Sequence, residues 1–336
     1  MSLLRRLALF LVLLYTELLS IWYLVFLLAD DDLWPLGLIN AFAVYLFVPL
    51  PVMIGMAVLA RQRLAWSVVI PVFIFLKLFG ADLLPPSPTA SAGAGEPVLT
   101  VMTYNVLYTS TKAAPIAAAI NRAAADIVAF QELTPAMARK LEDEIGLLYP
   151  YRTPMHSACP AEVAIWSRYP LTLEEVDEAD VLCRVRHVTV NFMGRRVRVV
   201  NVHAWPFTEF DPVHMEQSFR WREEQLALVL EMVEGRPEPL ILLGDLNSTP
   251  LHRVYRTLAA HFTDAFREGG WGLGHTFPAV PGRIGVVPYP ARMVRIDYVF
   301  HSNHWQTASA WVGEWDGCSD HLPVIARLRL LRQGQP

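Results

Sequence analysis

Residues 240–247 read LILLGDLN, four apolar residues and a glycine leading into Asp245 and Asn247. An apolar run this short reads as a strand, and this one ends on two residues able to bind metal or phosphate. The arrangement recurs. Residues 99–104 end at Asn105, and residues 127–130, within DIVAFQE, are followed by Glu132. Residues 197–202 end at His203, the strand 296–300 of RIDYVF carries Asp297, and Ser319, Asp320 and His321 precede a last run at 324–330. Residues 163–166 read as a further strand. Taken singly, an Asn or Asp after a strand is a turn residue and a lone His is structural. Six such placements in one stretch of chain are harder to dismiss.

Helical stretches lie between the strands. Residues 112–125 are Ala-rich, and residues 211–234 carry Phe219, Leu226, Val229, Leu230 and Val233 at roughly helical spacing. Residues 251–260 follow Ser248-Thr249-Pro250, a cap residue with proline at the first helical position. Residues 181–190 and 195–202, joined through 191–194, form an expected hairpin. Strands mixed with helices and hairpins favour an α/β sandwich, two sheets packed face to face with helices outside, over a doubly wound parallel sheet. The sequence holds neither a Gly-rich phosphate loop nor an internal repeat.

The first eighty residues have another character. The chain of 336 residues is 54% hydrophobic and 18% charged, too apolar for one ordinary soluble domain. Only Arg5, Arg6, Glu17, Asp30, Asp31, Asp32, Arg61, Arg63, Lys77 and Asp82 are charged before residue 84, which leaves 23 basic and 27 acidic side chains beyond it. That balance excludes disorder and a strongly basic nucleic-acid surface. Three cysteines are too few for a four-Cys zinc site. Residues 7–29, 33–60 and 64–84 are apolar runs, so residues 1–84 are expected to form three transmembrane helices contacting the lipid bilayer. The first run is too long for a cleaved signal peptide and lacks its cleavage site. Glu17 is expected to face a neighbouring helix. The basic positions place the N-terminus in the cytoplasm and everything after residue 84 outside it. Pro35, Pro49 and Pro51 could make the second run re-entrant, which would reverse that side. Residues 85–97 (PPSPTASAGAGEP) read as a flexible linker, residues 98–331 as the catalytic domain and residues 332–336 as a tail.

The ordered set TYNV, QE, SRYP, NVH, GDLN, RIDYVF and SDHLPV resembles the endonuclease/exonuclease/phosphatase superfamily, the deoxyribonuclease I-like fold, across residues 98–331. The resemblance implies a four-layered α/β sandwich and Mg2+-dependent cleavage of a phosphoester bond, with Mn2+ as the alternative ion. Such hydrolysis needs charge neutralisation at phosphorus, an activated water and help for the leaving oxygen. Mg2+ prefers oxygen ligands, one or two of them carboxylates. Glu132 is then the first metal ligand, with Asn105 beside it and Asp320 completing the acidic face. His321, oriented by Asp297, is general base or phosphate contact. Asp245 is the other candidate for activating water, and the choice between the two stays open. Asn247 and His203 are expected to donate hydrogen bonds to phosphate oxygens. The chain departs from many relatives at His156-Ser157-Ala158-Cys159-Pro160, which lacks a Tyr, and at His203-Ala204-Trp205-Pro206-Phe207.

Trp205, Phe207, Trp271, Phe277 and Tyr289 are expected to pack beside the site or form a lipid-facing rim. The Gly- and Pro-rich residues 269–295 are where substrate choice is expected to lie. Arg195, Arg196 and Arg198 read as a solvated hairpin face. Outside the cytoplasm a Cys159–Cys183 disulfide is permitted, and Cys318 reads as a small buried residue. The expectation is a membrane-anchored phosphoesterase acting on a phosphodiester, preferably of a lipid headgroup, with its catalytic domain extracytoplasmic. A tethered nuclease, nucleic acid being the less favoured partner, and a catalytically silent lipid- or protein-binding scaffold are the rivals.

Overall fold

The computed structural model describes residues 2–86, 96–174, 183–207 and 211–332. Most of the expected linker, the start of the expected strand at 181–182 and most of the tail lie outside those residues. The chain divides into two compact units, Met1–Leu84 with Leu251–Arg253, and Pro85–Pro250 with Val254–Pro336.

The first unit is helical: α1 (Leu3–Ala29), α2 (Trp34–Ala41), α3 (Leu50–Ala60) and α4 (Val69–Phe79). α1 buries Ala8, Val12, Thr16, Leu19, Trp22 and Phe26, spaced three or four apart as one helical face requires. Glu17 is exposed, contrary to expectation, because it lies beside that face and not on it. Two helical stretches among the described residues, Leu3–Ala29 and Ala43–Ala60, are long and apolar enough to cross a membrane, rather than the three expected. Pro35 starts α2 and Pro51 starts α3, because a proline is tolerated in a first helical turn and breaks a helix elsewhere. The third run is divided into a 3-10 segment Arg63–Val68, the 11-residue α4, and a 3-10 turn Ala81–Leu83.

The second unit is the four-layered sandwich that the strand pattern implied. Its first sheet contains β1 (Val98–Asn105), β2 (Ile127–Leu133), β3 (Tyr151–Arg152), β4 (Glu162–Ser167), β13 (Trp305–Val312) and β14 (Val324–Leu330) in the order β13-β14-β1-β2-β4-β3. The second contains β5 (Leu171–Leu173), β6 (Val185–Phe192), β7 (Arg195–His203), β8 (Leu240–Asp245), β9 (Thr263–Asp264) and β12 (Asp297–His301) in the order β5-β6-β7-β8-β12-β9. A separate hairpin pairs β10 (Gly282–Ile284) with β11 (Val287–Tyr289). Val101, Ala129 and Ile165 of the first sheet pack on Val188, Val199 and Leu243 of the second. The outer faces are covered by α5 (Ala113–Ala123) and α6 (Pro135–Ile145) on one side, and by α7 (Pro212–Val233) and α8 (Arg253–His261) on the other. This burial of apolar side chains in three layers is the main stabilising term.

Strand direction gathers the strand ends. β1 and β2 run parallel and β14 antiparallel to them, so the ends of β1 and β2 and the start of β14 share one edge. β7 and β8 run parallel and β12 antiparallel, which does the same in the second sheet. The β6–β7 hairpin pairs Phe192 with Arg195, so its turn is Met193-Gly194, two residues shorter than expected. Both have positive φ, 51° and 83°, as such tight hairpins require. Arg195 and Arg196 are exposed, but Arg198 is 2% exposed. It donates to the Met232 and Val233 carbonyls at 2.7 and 3.2 Å, closing the C-terminal turn of α7 whose carbonyls lack helical partners.

Candidate active site

In the second sheet three residues stand abreast. Register pairs His203 with Asp245, and Asp245 with Asp297, so neighbouring strands present them on one face. Gly244 permits this row: a Cβ there would lie 1.8 Å from the Val202 carbonyl oxygen, and its φ is 148°. Asp245 is followed by Asn247 in the left-handed region (φ 47°), whose N–H donates to Asp245 Oδ1 at 2.9 Å.

The first sheet supplies the facing half. Register between β2 and β4 shifts between Phe130 and Leu133, and Glu132 there has φ 57°. A non-Gly residue in that region costs about 1–3 kcal/mol; the bulge re-aims the carboxylate away from the ladder. Asn105 Nδ2 donates to Glu132 Oε1 and to Asp245 Oδ2, both at 3.1 Å. The Asn105 oxygen accepts the Leu107 N–H at 3.1 Å. Expected as a metal ligand, Asn105 therefore turns its nitrogen to the carboxylates and cross-links the two sheets. Ser319 Oγ donates to the Asn105 carbonyl at 2.6 Å and accepts the His321 N–H at 2.9 Å, which seats the SDH segment against β1.

His321 Nδ1 donates to Asp297 Oδ2 at 2.9 Å, and its Nε2 lies 3.7 Å from Asp245 Oδ2. Burial alone would lower its pKa; Asp297, Asp245 and Asp320 override this and raise it to about 10. Asp245 is raised to about 7 by burial, with His321 opposing and Asp297 reinforcing. His203 Nε2 lies 3.9 Å from Glu132 and 3.7 Å from Asp245. Burial, then Arg184 and His321, lower it to about 3, so it is a neutral imidazole. Burial, reinforced by Glu132 and Asp297 and offset by His321, pushes the Asp320 carboxyl up.

That last strain fits a divalent cation. Glu132 and Asp320 are hard oxygen donors, and a cation at their carboxylates would relieve their repulsion. Asp245, Asp297 and His321 also place ligand atoms within 4.8 Å of one another and could hold a metal. There, however, both His321 ring nitrogens face carboxylates, an arrangement that favours the doubly protonated ring.

The family model described as Endonuclease/Exonuclease/phosphatase family matches residues 102–321. The chain belongs to that family. Endonuclease/exonuclease/phosphatase proteins hydrolyse phosphoester bonds, generally with a divalent metal. The chain is similar in structure to a family protein from Bacteroides thetaiotaomicron, at 19% identity and TM-score 0.53, covering 70% of this chain and 98% of the other. It resembles truncated Caenorhabditis elegans TDP2 at 18% identity and TM-score 0.53, over 69% and 98%. A third likeness is the family protein from Beutenbergia cavernae, at 22% identity and TM-score 0.50, over 70% and 72%. These identities carry the fold alone. Among curated proteins, none matches the chain by sequence.

Glu132, Asn105, His203, Asp245, Asn247, Asp297, Asp320 and His321 thus lie along one edge of this family sandwich. Asn247 spends one amide hydrogen on the Ala204 carbonyl at 2.9 Å, leaving the other for a ligand. The Phe277 ring lies tilted beside His321, centroids 4.9 Å apart; Trp271 is 69% exposed. Other residues escaped the sequence reading. Beneath the site Gln131 Nε2 donates to Asn201 Oδ1 at 2.6 Å, and Asn201 Nδ2 donates to the Phe130 and Ala164 carbonyls at 2.8 and 3.0 Å. This buried polar bridge ties sheet to sheet. Its signal was present: Asn201 interrupts the valines of VVNVH, two before His203. Cys159 and Cys183 are bridged, Cα atoms 5.7 Å apart, and Cys318 is half-buried rather than buried.

Proposed function

We propose that this chain is a membrane-anchored, Mg2+-dependent phosphodiesterase that hydrolyses lipid headgroup phosphodiesters. The convergence of Glu132, Asp320, Asp245 and the Asp297–His321 pair on one edge carries the phosphoesterase reading. Glu132 and Asp320 would hold the Mg2+, which supplies charge neutralisation at phosphorus. Asp297 orients the His321 ring and favours its charged form, so that Nε2–H is directed towards Asp245 and the place of the reacting phosphate. A water beside Asp245 would give its proton to that carboxylate as its oxygen bonds to phosphorus; the P–O bond to the leaving oxygen breaks, that oxygen takes a proton from solvent, and the His321 imidazolium donates a hydrogen bond to the charge that develops. Asn247 and neutral His203 bind phosphate oxygens, and Asn105 holds Glu132 and Asp245 in place.

Two features support the lipid part. Residues 1–84 carry two helical stretches long and apolar enough to cross a membrane, and residues 269–295 contain no Asp or Glu and expose Arg283 and Arg292. The β10–β11 hairpin in that segment exposes Ile284, Val286 and Val287, Val286 to 88%, an apolar tip beside basic residues that suits an anionic bilayer. The extracytoplasmic side is supported by the Cys159–Cys183 bridge. It requires three crossings from a cytoplasmic N-terminus, the third through the contiguous helical turns from 63 to 83. Reporter fusions at the C-terminus active only in the cytoplasm would refute that side.

The test uses the full chain in lipid nanodiscs with and without Mg2+, offered phospholipid, a generic phosphodiester, and single- and double-stranded DNA, with His321→Ala as blank. Headgroup release that needs Mg2+ and His321 is expected. DNA cleavage alone would make this a tethered nuclease, and metal binding with no turnover on any substrate would favour a silent scaffold.

A further inference from the structure

Arg184 directly precedes β6, one residue after Cys183. Its carbonyl accepts the His203 N–H at 2.8 Å, and the next rung pairs Val185 with Val202. Arg184 and His203 therefore face each other across the ladder and send their side chains to the same face, the face of the site. The guanidinium carbon sits 3.9 Å from the Trp205 ring centroid, a cation–π stack that fixes its plane. The backbone is fixed as well. Cys183 is bridged to Cys159, and its carbonyl accepts the Val163 N–H at 3.1 Å.

Burial lowers the pKa of the guanidinium, which is close enough to Glu132 and Asp245 for their charges to oppose that shift, and its own charge helps lower that of His203. Yet among the described residues no carboxylate or carbonyl accepts a hydrogen bond from its side chain, and none lies within ion-pair distance of it. Arg222 differs: it donates to the Ser218 carbonyl at 3.0 Å and to the Asn247 carbonyl. A half-buried arginine beside carboxylates ordinarily pairs with one of them. Here the fork is stacked, anchored and left open.

The charge of the site gives that open fork a use. Glu132, Asp245, Asp297 and Asp320 outnumber His321, and one divalent cation leaves the cluster negative. A phosphate ester would then approach against the field. We propose that Arg184 is the phosphate-gripping residue of this site, its planar fork binding two non-bridging oxygens of the substrate phosphate. The identity of the ligand rests on the phosphoesterase reading; the placement of an open fork at the site does not.

The experiment measures binding, separately from turnover, with the full chain in nanodiscs and saturating Mg2+. Dissociation constants for inorganic phosphate and for dimethyl phosphate are determined by calorimetry for the wild type, R184Q and R184K. R184Q is expected to weaken both probes by roughly tenfold or more, with Mg2+ affinity changed by less than about twofold. R184K, which keeps the charge but not the fork, falls between. Weakening of dimethyl phosphate alone would assign the grip to diesters, and weakening of both to any phosphate. Unchanged affinity for both probes in R184Q overturns the proposal, as does a wild type that binds neither. Should R184Q fail to fold, R184K decides by the same comparison. Phosphate held by Arg184 in a protein that hydrolyses no phosphoester would sink the enzyme reading and leave this one standing.

Discussion

Burial by itself would keep the His321 ring neutral, but Asp297 takes its Nδ1–H at 2.9 Å and Asp245 lies 3.7 Å from Nε2. Replacing Asp297 by Asn removes the charge that favours the protonated ring and weakens the bond that orients it. Turnover at pH 7 should fall by about 10²–10⁴, read as kcat on whichever substrate the wild type accepts; a loss below threefold would remove the pair from the mechanism. His187 shows the opposite balance. Burial, then the Arg198 guanidinium, lowers it to about 4, and its neutral Nε2 accepts from Arg198 Nε at 3.2 Å. A folded pKa below the ordinary 6.5 means that the unfolded chain binds the proton first. The stability from this site is complete above pH 6.5 and is lost as pH falls from there to 4, about 3 kcal/mol in all. Thermal midpoints measured across that window should drop, and His187→Gln should flatten the slope. At this scale the sequence singled out Glu132, Asp245, Asp297 and His321, because each lies at or near one end of an apolar run. It could not separate Arg184 from Arg186, Arg195, Arg196 and Arg198 in the same hairpin. Only the ladder, which sets Arg184 opposite His203, tells them apart.

Among the elements, β8 depends on Gly244 for its approach to β7. Gly244→Ala drives a Cβ into the Val202 carbonyl, so β8 must move and carry Asp245 with it. Stability should fall by about 2 kcal/mol or more, and activity should vanish even at temperatures where the far-UV spectrum is native. The Cys159–Cys183 bridge closes a 24-residue separation and ties the approach to β4 to the approach to β6. Reduction should cost about 3 kcal/mol by the loop-entropy argument, measured as the denaturation midpoint with and without reductant. Strand positions were legible because short apolar runs ended in polar residues. The bulge at Glu132 was not, since nothing in FQEL marks an extra residue until β4 pairs alongside. The N-terminal runs were legible as apolar but not as continuous helices. Hydropathy sums over prolines and 3-10 turns that the backbone does not ignore.

For the whole molecule, the split between an apolar helical unit and a sandwich of net charge −4 was readable from where the charges fall. If residues 1–84 are an anchor, the full chain should stay with membranes through alkaline carbonate washing, and a chain that washes free would refute it. The catalytic layout adds something the charge count could not. Asn105 and Glu132 belong to one sheet, whose strand β14 the SDH segment leads into, and His203, Asp245 and Asp297 to the other, with Gln131 and Asn201 bridging the two beneath. The site is thus the gap of a calliper whose arms are the sheets and whose pivot is that buried amide pair. A slip of either arm by a fraction of a residue would leave each half whole and the gap useless. Hydrolysis should therefore report the alignment of the arms more finely than any spectroscopic measure of folding, and a ligand or lipid that squeezed or spread them would set its rate without touching the chemistry.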